Sequence, residues 1–212
     1  MATESDLHAD DAYPQSKVSQ IREAARRLFL EHGYEITSMD SIAAEAGVSK
    51  RTVYSHFRNK EMLFIETMET MCERFGVAPH ETNDPTAPPE KFLCSVGKLM
   101  LSKVMDPRLQ AVMRTIIGEL AAFPEMGSRF WSIGPGNMRI QVTEYLREQD
   151  AAGVLVVPDP PLSAGMFQGM VAGPQFMPMI FTGDPVWTVD DIDRIARTAT
   201  AQFLATHRPK DG

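Results

Sequence analysis

"AGVSKRTVYSHFRNKEMLF", residues 46–64, is the stretch whose reading decides the fold. It gathers Lys50, Arg51, Arg58 and Lys60, with Tyr54 and His56 between them, in a chain whose formal charge is -7. On a helical wheel, Val53 and Phe57 fall together on one face. Arg51, Thr52 and Ser55 fall on the far side, with Tyr54 and His56 on the flanks. Ser49 caps this helix, expected over Lys50 to Phe57. Gly47 stands at the turn before it, where a positive φ is cheap for glycine. Upstream, Thr37-x-x-Asp40 reads as a loose capping box opening a short helix that carries Ile42, Ala43 and Ala46. The small Ala43 lets two helices cross closely. A first helix, a tight glycine turn and a second helix with a polar outer face make a helix-turn-helix, whose second helix enters the major groove of DNA.

Working outward, Val18, Ile21, Ala25, Leu28 and Phe29 mark a preceding helix that Gly33 should stop, and Asn59 caps a following one from Lys60 through Cys72. The chemistry of the displayed side chains suits a duplex. Arg51 or Lys50 can bond guanine O6 and N7, and Thr52 can touch a thymine methyl or a base edge. Tyr54, His56 and Lys60 are placed for phosphates, Lys60 at a helix start where free N–H groups attract anions. Thr37, Ser38, Ser49 and Ser55 complete the expected DNA-facing set. The bland alternative is a solvated basic helix; the agreement of spacing, caps and charge outweighs it. Residues 15–60 hold eight Lys and Arg against five Asp and Glu, a net +3, whereas residues 1–14 hold four acids and no Lys or Arg. The charge of the binding segment, more than that of the whole chain, governs affinity for a polyanion.

"VSQIREAARRLFLEHGYEITSMDSIAAEAGVSKRTVYSHFRNKEMLF", 47 contiguous residues, resembles the DNA-binding domain of the TetR family of bacterial transcriptional regulators. The resemblance implies an all-α homodimer that binds palindromic double-stranded operator DNA, usually as a repressor. It also implies a C-terminal domain whose small-molecule ligand releases the DNA. Thr52, Tyr54, His56 and Lys60 match positions that the family uses on DNA. Many members carry glycine where Arg51 stands, which marks Arg51 as a contact particular to this chain.

The expected organisation is a disordered acidic tail over 1–14, the helix-turn-helix domain over 15–60, and a helical ligand-binding and dimerisation domain over 61–212. "GVAPHETNDPTAPPE" at 76–90 is a Pro-rich break. Beyond it helical patterns run at about 89–105, 107–123, 127–150, 161–181 and 188–206. "VLVVPDPP" at 154–161 lacks a partner strand and reads as a loop. The far half is rich in Met and Phe, adaptable and apolar, which suits a pocket for a small hydrophobic effector. Expected lining residues are Met100, Met113, Ile117, Phe123, Phe130 and Met138 from the nearer helices. Phe167, Met170, Phe176 and Met177 follow from the later one. Arg114 and Glu119 could meet a polar end of the effector. Gly165, Gly169 and Gly173 recur every four residues, a stripe that permits close approach of another backbone. With Ile192, Ala196, Ala199 and Phe203 of the last helix, that stripe reads either as a dimer interface or as intrachain packing, and the layout implied by the resemblance favours the interface.

No G-x-S-x-G, H-E-x-x-H or phosphate loop occurs, and Cys72 and Cys94 lack metal-ligand spacing, so neither an enzyme nor a metal or other cofactor is expected. Two cysteines suit a reducing bacterial cytoplasm. The apolar run at 162–181 is broken by prolines and has no cationic flanks, so no membrane span is expected. Competing readings are a transcriptional activator, and a helical ligand-binding protein without DNA-binding activity.

Overall fold

The computed structural model describes residues 16–75, 84–183 and 187–209. The expected acidic tail at 1–14, and residues 76–83 of the Pro-rich break, lie outside them. The described chain is helical throughout: α1 (Lys17–Ile36), α2 (Met39–Glu45), α3 (Lys50–His56), α4 (Lys60–Phe75), α5 (Pro89–Val104), α6 (Pro107–Glu119), α7 (Pro124–Ile133), α8 (Pro135–Ala151), α9 (Pro160–Thr182) and α10 (Ile192–His207). A single 3-10 turn, Val189–Asp191, leads into α10. Two compact units divide inside α4, Met1–Thr67 and Met68–Gly212.

In the first unit, α1 opens on Ser16, whose hydroxyl accepts from the Ser19 N–H. As expected, the regular helix breaks at Gly33, whose φ 79° and ψ 174° lie outside helical values, and a short further turn carries α1 to Ile36. The cap of α2 differs from expectation. Ser38, not Thr37, is the N-cap, and its reciprocal partner is Ser41 rather than a carboxylate. The turn that follows is a Schellman motif. Gly47, at φ 64°, donates to Ala44 O, and Val48 donates to Ala43 O, so the last carbonyls of α2 are satisfied before Ser49 starts α3. Ile21, Ala25, Phe29, Ile42, Val53, Leu63 and Phe64 bury completely or nearly so. Phe29 and Phe64 meet edge to face with centroids 5.0 Å apart. Helices as short as α2 and α3 persist because this shared core holds them.

In the second unit, proline occupies the first position of α5, α6, α7, α8 and α9, where the missing N–H costs nothing and φ is already helical. The pattern expected as one helix over 127–150 is two, α7 and α8. Gly134, at φ -107° and ψ -99°, breaks the run, and Pro135 begins the next helix. The 107–123 pattern likewise ends as a helix at Glu119. Residues 154–157 form no strand, as expected, and Val156 donates to His207 O. The core joins α5, α8, α9 and α10. Phe92 stacks on Tyr145 at 3.7 Å between centroids, and the Tyr145 hydroxyl donates to Ala87 O. Phe167 meets Phe203 at 5.3 Å. Gln175, fully buried on α9, accepts from Trp187 N–H at 3.0 Å and so holds the chain entering α10.

The expected interface face of α10 turns inward instead. Ala196, Ala199 and Phe203 are buried within the chain, and Ile192 packs on the same core. The physical reason is the α5–α10 crossing: a Cβ placed on Gly97 of α5 would stand 3.3 Å from Ala196 Cβ. That glycine lets α5 and α10 approach closely. Among the described residues no helix is long and apolar enough to cross a membrane.

Candidate nucleic-acid interface and ligand cavity

The outer face of α3 follows the wheel. Val53 and Phe57 are buried, Arg51, Tyr54, Ser55 and His56 are exposed, and Thr52 is half-buried. Several of the polar groups already have work within the fold. The Ser49 hydroxyl accepts from Thr52 N–H and pairs with the Thr52 hydroxyl at 2.8 Å, which turns the Thr52 side chain toward the helix start. Ser55 donates to Thr52 O. Ser38 is occupied with Ser41. Lys50 pairs with Asp40 at 2.6 Å, an exposed contact that a phosphate can displace at little cost.

One expected DNA contact needs correction, and a second has a partner within the fold. Thr37 is buried, and its hydroxyl donates to Gly33 O at 2.8 Å, so its side chain fixes the exit from α1 and cannot reach a duplex. Lys60 is half-buried. Its Nζ donates to Tyr34 O at 2.8 Å and lies 4.1 Å from the Tyr34 ring centroid. There it satisfies carbonyls at the end of α1, a structural role for a cation at a helix C-terminus. Arg22, Arg26 and Arg27 are likewise paired, with Glu66, Glu23 and Glu45. Arg51 and Arg58 are exposed, and among the described residues neither has an ion-pair or hydrogen-bond partner. Arg58, outside the expected set, therefore has a guanidinium whose donors remain open to an anion. The signal was present in its position, one residue past the buried Phe57 at the exit of α3.

The second unit contains a cavity of about 470 Å³, within the range of small-molecule sites. Of the expected lining, Met100, Met113, Ile117, Phe130, Met138, Phe176 and Met177 are present. Phe123 and Phe167 do not line it; both are buried, Phe167 against Phe203. Met170 points outward, Arg114 is exposed on the other side of α6, and Glu119 is also outside the lining. The polar groups that do line the cavity are Lys103, Arg139 and Gln168. Arg139 was concealed in the sequence by the turn signal Gly134-Pro135-Gly136 just before it; its position next to the lining residue Met138 was the available hint. Cys72, near the end of α4, also lines the cavity, and burial pushes its thiol up to about 11, so it stays protonated.

Gly165, Gly169 and Gly173 line this cavity as well, and Gly169 and Gly173 are exposed in the single chain. A Cβ built on Gly169 or Gly173 meets nothing within 4 Å. Within the chain, the stripe at Gly169 and Gly173 leaves open space. Beside it, α9 exposes Leu162, Met166 and Met170, spaced four residues apart.

A capped, glycine-turned helix pair that displays unpaired arginines defines a helix-turn-helix reader of duplex DNA, here joined to a ligand-sized cavity in a second helical unit. Residues 21–67 match the family described as bacterial regulatory proteins, tetR family, and residues 91–209 match the AefR-like transcriptional repressor C-terminal domain. The chain belongs to the TetR family of DNA-binding transcriptional regulators. Its helix-turn-helix end is 40% identical over 68 residues to the uncharacterised regulator YhgD of Bacillus subtilis, a match that takes in 32% of this chain and 36% of that one. Among solved structures, a TetR-family regulator from Mesorhizobium loti superposes with a TM-score of 0.77 at 26% identity, covering 98% of this chain and 100% of that one. The flavonoid-responsive regulator FrrA superposes with a TM-score of 0.75 at 30% identity, covering 92% of this chain and 98% of that one.

Proposed function

We propose that this chain is a cytoplasmic homodimeric repressor, released from a palindromic operator by a small, largely apolar effector held in the cavity of the second unit. DNA binding falls to residues 15–60, and effector binding and dimerisation to 61–212. The observation that carries the reading is the cavity with Cys72 in its lining. Cys72 belongs to α4, the helix that begins at Lys60, directly after the helix-turn-helix. A ligand that displaces α4 has a continuous helix through which to act. Glu69, on the same helix, pairs with Arg129 of α7 at 3.1 Å, and Phe130 and Trp131 of α7 line the cavity. Repression accords with the AefR-like match over 91–209, and an aromatic effector with the response that gives FrrA its name.

A single recognition helix reads too few base pairs for selectivity, so the operator should be read by two copies, with recognition helices about 34–36 Å apart. We place the contact between copies on the exposed apolar face of α9, at Leu162, Met166 and Met170, now that the glycine stripe and the α10 face have other roles. The effector must bind more tightly to the state that cannot hold DNA, since equal affinity for both states shifts nothing. A preference worth about 2 kcal/mol changes operator occupancy some thirtyfold. The test is fluorescence anisotropy of a labelled operator found by selection from random duplexes, titrated with hydrophobic compounds that first raise the melting temperature. Compounds that stabilise the protein without ever weakening its DNA complex would leave the cavity as a binding site and remove the coupling.

A further inference from the structure

The reading of the cavity as the effector site leaves open what chemistry it selects, and its polar groups are informative. Its lining includes two cations, Lys103 and Arg139, and no Asp or Glu, in a chain with 28 acids against 21 bases. Arg139 is held from three sides. Its guanidinium carbon lies 4.9 Å from the Trp131 ring centroid. Its Nε donates to Gln168 Oε1 at 3.0 Å, and Gln168 Nε2 is itself anchored on Pro135 O. The guanidinium also lies across the α9 backbone at Gly165, where a Cβ would be 3.5 Å from its central carbon. A guanidinium has five N–H donors. Only the one on Nε is used, and among the described residues the Nη groups have no partner. The result is a fixed cation with its donors unspent at the wall of an otherwise apolar chamber.

The floor beside it is flat. Gly169 and Gly173 present bare backbone with open space where side chains would stand, and Phe130 and Phe176 belong to the same lining. A flat floor with aromatic walls favours a planar ring system, and a preorganised guanidinium favours an anionic oxygen in the plane of its fork. We propose that the cavity takes a planar aromatic acid, its rings on the glycine floor of α9 and its anionic oxygen received by the Nη groups of Arg139. The guanidinium gives specificity within a site whose binding energy is otherwise apolar.

The test compares 2-phenylquinoline-4-carboxylate with its carboxamide, titrated into the full-length protein by calorimetry. The wild type should bind the carboxylate roughly ten- to a hundredfold more tightly, the range for a hydrogen bond to a charged partner. R139Q should remove that preference, lowering carboxylate affinity far more than carboxamide affinity, because a charge-assisted bond is lost only with the anion. G165V is a second route: it keeps the arginine but displaces its guanidinium, and the preference should shrink as well. G169L, which fills the floor, should abolish binding of both compounds. If wild type binds both equally and G169L abolishes both, the cavity stands as the effector site and the acid-selective proposal falls. If neither compound binds, or G169L leaves binding intact, the cavity reading falls and takes this proposal with it.

Discussion

Replacing Gly169 with alanine separates two accounts of the glycine stripe by the sign of one number. Gly169 sits well inside the 23-residue α9, and a Cβ there meets no heavy atom within 4 Å. The substitution therefore incurs no steric cost and gains the helix-propensity difference, about 1 kcal/mol in favour of alanine. In a unit of this size that raises the melting temperature by about 2–4 °C. Gly173 has equal space but should not give the same gain. Pro174 follows it, and the proline ring crowds the Cβ of a preceding residue in helical conformation, so Gly173→Ala is expected to be neutral or destabilising. Gly97 supplies the opposite control. Its Cβ would stand 3.3 Å from Ala196 Cβ at a real helix crossing, and Gly97→Val should cost about 1–3 kcal/mol by overpacking. Urea unfolding of the three variants, with light scattering to follow the dimer, measures all of this. A Gly169→Ala protein that is less stable than wild type, or that loses its dimer, would refute the assignment of the stripe to open space.

Lys60→Ala should destabilise the first unit by about 1–2 kcal/mol through the uncapped end of α1 while leaving the salt dependence of DNA binding unchanged; Arg58→Ala should instead lower the slope of log affinity against log salt by about one. Urea melts and anisotropy titrations at several salt concentrations separate the two. Arg51→Ala should relax preference at particular base pairs by about 1–3 kcal/mol, read by competition among mutated operators. Leu162→Asp on the exposed face of α9 should shift sedimentation toward the monomer and weaken operator binding without altering the helical circular dichroism. Hydrogen bonds first from Arg197 and then from Lys98 hold the Asp193 carboxyl down at about 2, below its ordinary 3.8. A depressed carboxylate contributes its stability fully above the unfolded value, so that contribution should persist at pH 5 and drain away as pH falls from about 4 towards 2, a loss absent from Asp193→Asn.

The helix-turn-helix was legible because its determinants are local. Caps at Ser49 and Asn59, the glycine turn at 47 and the apolar pair Val53 and Phe57 lie within a dozen residues of one another. The exception is instructive. Local sequence does not show that Tyr34, 26 residues earlier in the chain, brings its carbonyl to Lys60 Nζ. The cavity was legible in composition and not in detail. Periodicity shows that Phe167 and Phe176 lie on an apolar helix, but only the packed neighbours decide that Phe167 meets Phe203 while Phe176 faces open space. A four-residue glycine repeat is ambiguous for the same reason: missing side chains admit a close neighbour or leave room for a guest, and Gly97 and Gly169 show one of each. The break between α7 and α8 was written as Gly134-Pro135-Gly136, and the apolar pattern on both sides of it suggested a continuity that the backbone does not have.

The prolines that open successive helices limit how the second unit can move. A helix that starts on proline lengthens backwards only at a cost, because the ring pushes the preceding residue out of the helical region. α7 is ten residues long, opens on Pro124 and is followed at once by Pro135. Winding residues from one helix into the next carries that cost. The easier motion is to swing as a short stiff bar on two joints, at Phe123 and Gly134, whose backbones lie outside helical values. Under the mechanism we propose, a guest pressing on Phe130 or Trp131 would displace the bar as a whole, and with it Arg129, the partner of Glu69.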